Sequence, residues 1–206
     1  MRIIGLTGRS GAGKSTVAGI FESEGMVHID CDRVTARVLE RSEGCKRELA
    51  EHFGPGIFTP DGAVDRRALG AIVFSHSEQL EALNRITHKY ILEQVRALVE
   101  RCRREGAPAV VVDGATIIES GYDRECDLLV AVTADKAYLI TRIMQRDRIG
   151  ISEARARLEA QKPDDFYTGA ADITLYNDGS VLDLQARAKT LARRIMEECS
   201  AHEEDS

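Results

Sequence analysis

The chain has 206 residues, 43% of them hydrophobic and 30% charged, which allows one domain with insertions or two small ones and excludes wholesale disorder. Asp and Glu number 34 against 28 Lys and Arg, for a formal net charge of -6, so neither general nucleic-acid coating nor an anionic membrane surface suits it. No apolar run reaches the roughly 18 residues of a membrane span, the N-terminus lacks the long apolar core of a signal peptide, and five cysteines without C-x-x-C spacing fit a reducing cytoplasm rather than a disulfide framework or a zinc site.

In chain order, the apolar, β-branched stretch 2–7 predicts a buried strand, followed by a glycine-rich turn and a helix over about 14–24 that stops at Gly25. A second short strand is expected over 26–30. This strand–loop–helix–strand unit points to a parallel sheet with right-handed crossovers. From about 33 to 105 no strand signal is strong. Leu80, Leu83, Ile86, Tyr90, Ile91, Val95 and Leu98 recur at helical spacing, and two Gly/Pro-rich turns at 54–56 and 59–62 separate helical stretches, so this section reads as a helical insertion. Strands return at 109–113 and 127–133. A helix over about 134–146 leads into residues 142–159, which hold five arginines, Arg142, Arg146, Arg148, Arg155 and Arg157, against Asp147, Glu153 and Glu159. A last strand is expected at 172–176, then a closing helix with Leu184, Ala188, Leu191 and Ile195 on one face. The tail from 197 is expected to fray.

Residues 8–15, Gly-Arg-Ser-Gly-Ala-Gly-Lys-Ser, fit G-x-x-x-x-G-K-[ST] between an expected strand and an expected helix. Glycines let the backbone turn its N–H groups inward toward phosphate oxygens, and the helix N-terminus adds positive charge. Lys14 would reach the β- and γ-phosphates and the Ser15 hydroxyl would ligate Mg²⁺. The motif implies a nucleoside triphosphate but leaves three classes open: a small-molecule kinase, a regulatory GTPase, and a nucleotide-gated motor or binding module. A GTPase needs a guanine-reading N-K-x-D, which is absent, and Asp147-x-x-Gly150 lies in the arginine-rich segment. A kinase needs an acceptor-binding insertion and an arginine-bearing lid, and both have candidates here. The charge of Arg9 either adds to phosphate attraction or points to solvent.

Asp30 and Asp32 follow the second strand, on the sheet edge that faces ligand in open α/β folds. Two apart on an extended chain, their carboxylates point the same way, and one would orient an acceptor hydroxyl. The alternative is a helix N-cap pair.

Taken in order, Gly5 to Gly8, Gly11 to Thr16, His28 to Arg33, Ala36-Arg37, Asp61-Gly62, Arg66 to Leu69, Val73-Phe74, Ile86 to His88, Thr141 to Asp147 and Asn177 to Gly179 resemble the dephospho-coenzyme A kinase family. The chain departs from that pattern at Arg9, where the family usually has Gly, at Lys89, where it usually has Pro, and over 113–119, which lacks Pro and Leu-Leu. The resemblance implies an α/β P-loop kinase with a parallel sheet of about five strands in the order 2-3-1-4-5. It implies a nucleotide-binding core over 1–32, 107–145 and 166–206, a helical dephospho-CoA-binding insertion over 33–106 and a lid over 146–165. The implied activity is transfer of the ATP γ-phosphoryl group to the ribose 3′-hydroxyl of dephospho-CoA, with Mg²⁺, in a cytoplasmic monomer or weak homo-oligomer that engages neither nucleic acid nor membrane. The rivals are a kinase for another small acceptor, such as a nucleoside monophosphate, and a nucleotide-dependent switch.

By the same resemblance Asp32, Lys14 and Arg146 are catalytic, with Asp32 as the base. Gly8, Gly11, Ala12, Gly13, Lys14, Ser15, Thr16, Arg142, Arg146 and Asn177 bind ATP, and Ser15 holds the metal. Thr7, Asp32, Arg37, Arg67, His88 and Asp113 face the acceptor. Plainer alternatives stand beside several of these: solvated charge for Arg142 and Arg146, a structural histidine for His88, a water-bridged Mg²⁺ carboxylate for Asp113 and a turn cap for Asn177.

Overall fold

The apolar runs become strands at the centre of a sheet. In the computed structural model, which describes residues 1–73 and 76–204, β1 (Arg2–Thr7) buries its last four residues and β3 (Ala109–Asp113) its first four. With β2 (Val27–Asp30), β4 (Leu128–Thr133) and β5 (Ile173–Tyr176) they form one sheet in the order β2-β3-β1-β4-β5. β1 runs parallel to both β3 and β4, and β4 parallel to β5. Strands buried on both faces read as continuous apolar runs, which is why Val110, Val111 and Val112 need no polar alternation. Phe74, part of the resemblance, and residues 205–206 of the tail lie outside the described residues.

Helix α1 (Lys14–Ser23) buries Val17, Ala18 and Phe21. It ends as expected at Gly25, whose φ of 100° suits glycine. The last helix, α9 (Val181–Glu204), runs through most of the stretch expected to fray. Its Leu184, Ala188, Leu191 and Ile195 are buried in the same cluster as Phe21, Ile4 and Val130. Burying each of the larger of these side chains contributes about 1.5–3 kcal/mol. Glu24 ties the end of α1 to α9 through Lys189 at 3.3 Å and Arg193 at 3.1 Å. Between β4 and β5 stand α6 (Lys136–Asp147), α7 (Ile151–Glu159) and α8 (Asp164–Thr168), with α7 lying against α6.

The chain forms two units, one of residues 1–29 with those from 99 onward, the other of residues 30–98. The second is helical: α2 (Cys31–Arg41), α3 (Glu43–Phe53), α4 (Arg66–Val73) and the first three-quarters of α5 (Ser77–Arg104). Ser42 ends α2 and caps α3, its hydroxyl accepting from the Cys45 amide at 3.3 Å. Asp65 caps α4 through the amides of Arg67 and Ala68. The turn-rich piece closes on one antiparallel bridge, Phe58 to Val64. Val34, Val38, Leu49, Ile57, Leu69 and Ile86 are buried, whereas Leu80 is exposed. Lys89 and Tyr90 of α5 both donate to Glu48 of α3.

Candidate active site

The turn after β1 is built from glycines that no other residue could replace without strain. Gly8, Gly11 and Gly13 have φ of 135°, 81° and 108°, a region L side chains avoid. Space forbids a side chain as well. A Cβ on Gly8 would stand 2.1 Å from the Val132 carbonyl oxygen, and one on Gly11 2.8 Å from that of Leu139. The loop is thus pressed against β4 and α6. Its backbone turns through Ala12 N–H to Arg9 C=O at 3.2 Å, then enters α1 with Thr16 N–H and Val17 N–H donating to Gly13 C=O. Lys14 Nζ donates to Gly8 C=O at 2.8 Å, so the ammonium is folded back over its own loop. Ser15 is exposed at the head of α1.

Three of the expected nucleotide residues converge on this loop. Arg142, on α6, donates to the Asn177 carbonyl at 2.8 Å and reaches the Gly11 carbonyl at 3.4 Å, with its guanidinium over the Tyr138 ring. Arg146, one helical turn on, donates to the Ser10 hydroxyl at 3.0 Å. Asn177, just past β5, is 5% exposed, and its Nδ2 donates to the Ala12 carbonyl at 2.7 Å. It is a buried brace of the loop, a role the sequence reading did not assign.

Asp147 is a further residue that the sequence reading set aside. It holds Arg146 with both oxygens, at 2.7 and 3.0 Å, and also accepts from Arg157 at 2.8 Å. The Arg146 hydrogen bond, with Arg157 adding to it, holds the Asp147 carboxyl below its usual range. The same bond raises Arg146 further above neutrality, so this guanidinium stays charged. Its adjacency to the basic residues was the available signal.

Arg9 follows neither of the courses left open for it. It is 8% exposed and donates to Asp164 Oδ2 at 3.1 Å and to the Leu158 carbonyl. Thr133 donates to the other oxygen of Asp164 at 2.9 Å, and Gln161 Oε1 accepts from the Ser10 amide at 3.0 Å. Nothing in the spacing of these residues announced the cluster.

Thr7 ends β1, fully buried, and Asp113 ends β3. The Asp113 carboxylate lies 3.6 Å from His28 Nε2. Among the described residues no group of three or more His, Cys, Asp and Glu is placed to hold a metal ion. The oxygen donors on offer, the Ser15 hydroxyl and the Asp113 carboxylate, suit a hard cation bound mainly through phosphates and water, as Mg²⁺ usually is.

The remaining expected residues belong to the helical unit. Asp30 and Asp32 do not share an extended chain as expected. Asp30 is the N-cap of α2, accepting from the amides of Asp32 at 2.9 Å and Arg33 at 3.1 Å, while Asp32 lies in the first turn, exposed. Unsatisfied amides at the helix start claim the nearer carboxylate. Arg37 is exposed on α2 and Arg67 is exposed on α4. His88 is half-buried on α5, and that burial lowers its basicity.

With this geometry in view, the chain matches the model of the family described as dephospho-CoA kinase over residues 2–183. It is 39% identical to a dephospho-CoA kinase of Corynebacterium glutamicum over 193 residues, 94% of this chain and 96% of that one. It is 36% identical to that of Geobacter sulfurreducens over 191 residues, 93% and 97% of the two chains. Among solved structures, dephospho-CoA kinase from Campylobacter jejuni superposes with a TM-score of 0.72 at 26% identity, covering 95% of this chain and 98% of that one. A shikimate kinase from Acinetobacter baumannii shares the fold alone, with a TM-score of 0.54 at 16% identity over 98% and 94% of the chains.

Proposed function

The chain belongs to the dephospho-CoA kinase family, and from that premise we propose how its residues divide the work of that family's reaction. In that reaction the γ-phosphoryl group of ATP passes to the ribose 3′-hydroxyl of dephospho-CoA, giving CoA and ADP. The observation that carries the reading is the loop at residues 8–15, with three left-handed glycines, Lys14 and two arginines from α6 gathered on it.

Phosphoryl transfer is mostly positioning and charge stabilisation. The amides of the loop and the head of α1 cradle the phosphates, and Lys14 leaves its Gly8 carbonyl to meet the β- and γ-oxygens. Arg146, kept charged and aimed by Asp147, stabilises the group in transfer, and Arg142 holds the nucleotide near Gly11 and Asn177. Mg²⁺, bound with ATP and met by the Ser15 hydroxyl, would neutralise phosphate charge. Asp32 accepts the proton of the 3′-hydroxyl as its oxygen bonds to the γ-phosphorus and the bond to ADP breaks. Thr7, Asp113, Arg37, Arg67 and His88 serve the acceptor. In the same reading residues 33–106 bind the acceptor, 146–165 act as the lid over the 1–32, 107–145 and 166–206 core, and the enzyme works in the cytoplasm as a monomer or weak homo-oligomer without nucleic acid. No helix among the described residues is long and apolar enough to cross a membrane.

An acceptor panel tests this reading. ADP release is measured with MgATP and, in turn, dephospho-CoA, adenosine and AMP. Fast release with dephospho-CoA alone is expected. Release with AMP instead would favour a nucleotide kinase, and equal release without acceptor would favour a switch.

A further inference from the structure

We infer that Arg9 is a positioning residue for phosphoryl transfer: it fastens the phosphate loop to the stretch from the end of α7 to the start of α8, and so holds Ser10, on which Arg146 rests. The inference builds on the reading of Arg146 as a phosphate clamp.

A guanidinium at the second loop position has no place among phosphate-binding groups here, because it is turned away and used up elsewhere. It is buried, and it donates from both terminal nitrogens, one to Asp164 Oδ2 at 3.1 Å and one to the carbonyl of Leu158 at the end of α7. Its Nε has no partner among the described residues. Asp164 is itself held, since its other oxygen accepts from Thr133, the last residue of β4, at 2.9 Å. Arg9 therefore links the loop, the α7–α8 segment and the end of a central strand through one carboxylate.

The next residue repeats the connection. The Ser10 amide donates to Gln161 Oε1 at 3.0 Å, and the Ser10 hydroxyl accepts from Arg146 Nη2, also at 3.0 Å. Gln161 and Asp164 belong to the same short segment that Arg9 grips. Two consecutive loop residues are thus laced to one segment, and the second of them carries the catalytic arginine. A buried charge is costly unless paired and hydrogen-bonded. A glycine at position 9 would avoid that cost, but it would leave the segment joined to the loop only through the neutral Ser10 amide. Arginine suits the task because its rigid fork serves two acceptors at fixed angles, which a lysine ammonium does not. Neutralised by Asp164, Arg9 orders the site and leaves nucleotide charge to Lys14, Arg142 and Arg146.

The test is steady-state kinetics at saturating ATP and dephospho-CoA on Arg9→Ala, Arg146→Ala and the double variant, each with a thermal melt. Small displacements of a catalytic group cost up to about a hundredfold in rate. Arg9→Ala is expected to lower kcat about tenfold or more, and to change it less than about twofold when added to Arg146→Ala, since its effect passes through Arg146. An Arg9→Ala enzyme that melts earlier but keeps its kcat overturns the inference, as do losses that simply multiply in the double variant. If Arg9→Ala does not fold, Asp164→Asn, which keeps the shape and removes the charge, replaces it. The same dependence on Arg146 supports the inference, and an unchanged kcat overturns it. A costly Arg146→Ala beside a silent Arg9→Ala sinks this inference alone, whereas a silent Arg146→Ala sinks the clamp reading with it.

Discussion

Asn177 and Ala12, 165 residues apart in the chain, are joined by a hydrogen bond of 2.7 Å from the Asn177 side-chain amide to the Ala12 carbonyl. The same amide nitrogen would lie 2.6 Å from a Cβ on Gly13, so Asn177 packs closely against the end of the phosphate loop. Truncation would leave a buried carbonyl without its donor, at a cost of about 1–3 kcal/mol. We expect Asn177→Ala to unfold at lower urea and to bind ATP more weakly by calorimetry. Asn177→Asp should fare worse, because a carboxylate offers the carbonyl no donor and places charge against it. If both variants match the parent in stability and affinity, the brace is not needed.

The second prediction separates close approach from backbone conformation. Gly8→Ala meets both obstacles, a φ of 135° and a carbonyl oxygen 2.1 Å from the new Cβ. Gly121→Ala meets only the first, with a φ of 76° and open space around it. The left-handed penalty alone is about 1–2 kcal/mol. Chemical unfolding should therefore show Gly121→Ala destabilised by about that much with normal ATP binding, and Gly8→Ala by more, with ATP binding lost.

The third concerns two carboxylates that the sequence placed together and the fold uses differently. Asp30 is committed to the amides that open α2, so Asp30→Ala should cost about 1 kcal/mol as a lost cap. Asp32→Asn should fold and bind ATP normally yet lose about a hundredfold or more in kcat, the range of a missing general base. Near-normal turnover in Asp32→Asn would remove Asp32 from that role.

Much of this fold was legible in the chain. Continuous apolar runs marked β3 and β4, the glycine pattern marked the loop, and the four- and three-residue spacing of Leu184, Ala188, Leu191 and Ile195 marked the buried face of α9. Those signals are local, set by periodicity and turn chemistry. What stayed hidden depends on partners far away in sequence. Arg9 meets Asp164 across 155 residues, and Asn177 looked like any turn asparagine before Asp-Gly. The extended reading of the Asp30–Asp32 pair fails because it carries strand geometry two residues past the end of β2, into α2, and the alternative, a helix cap, holds for Asp30. The strand order came from the resemblance, since hydrophobicity alone does not order parallel strands.

A fourth prediction follows from the surface ion pairs. Glu24 is held below its usual value by Arg193 first, Glu48 by Lys89 and Glu198 by Arg2. A carboxyl whose folded pKa is depressed contributes stability that is fully present above its unfolded pKa and fades as pH falls through the folded one. The melting temperature should therefore decline gently below about pH 6.5, the unfolded His value, where half-buried His88 resists protonation, and more steeply below about pH 4.5, near the unfolded Glu value. Added salt should weaken these exposed pairs and flatten the decline. A melting temperature that rises on acidification would contradict this assignment.

The most direct measurement is phosphorus NMR of the product formed when the protein is incubated with MgATP and dephospho-CoA. The account predicts one ADP for each acceptor consumed and a new phosphomonoester on the ribose 3′-hydroxyl. ADP formed without a new phosphomonoester, or phosphate attached at any other position, would contradict it.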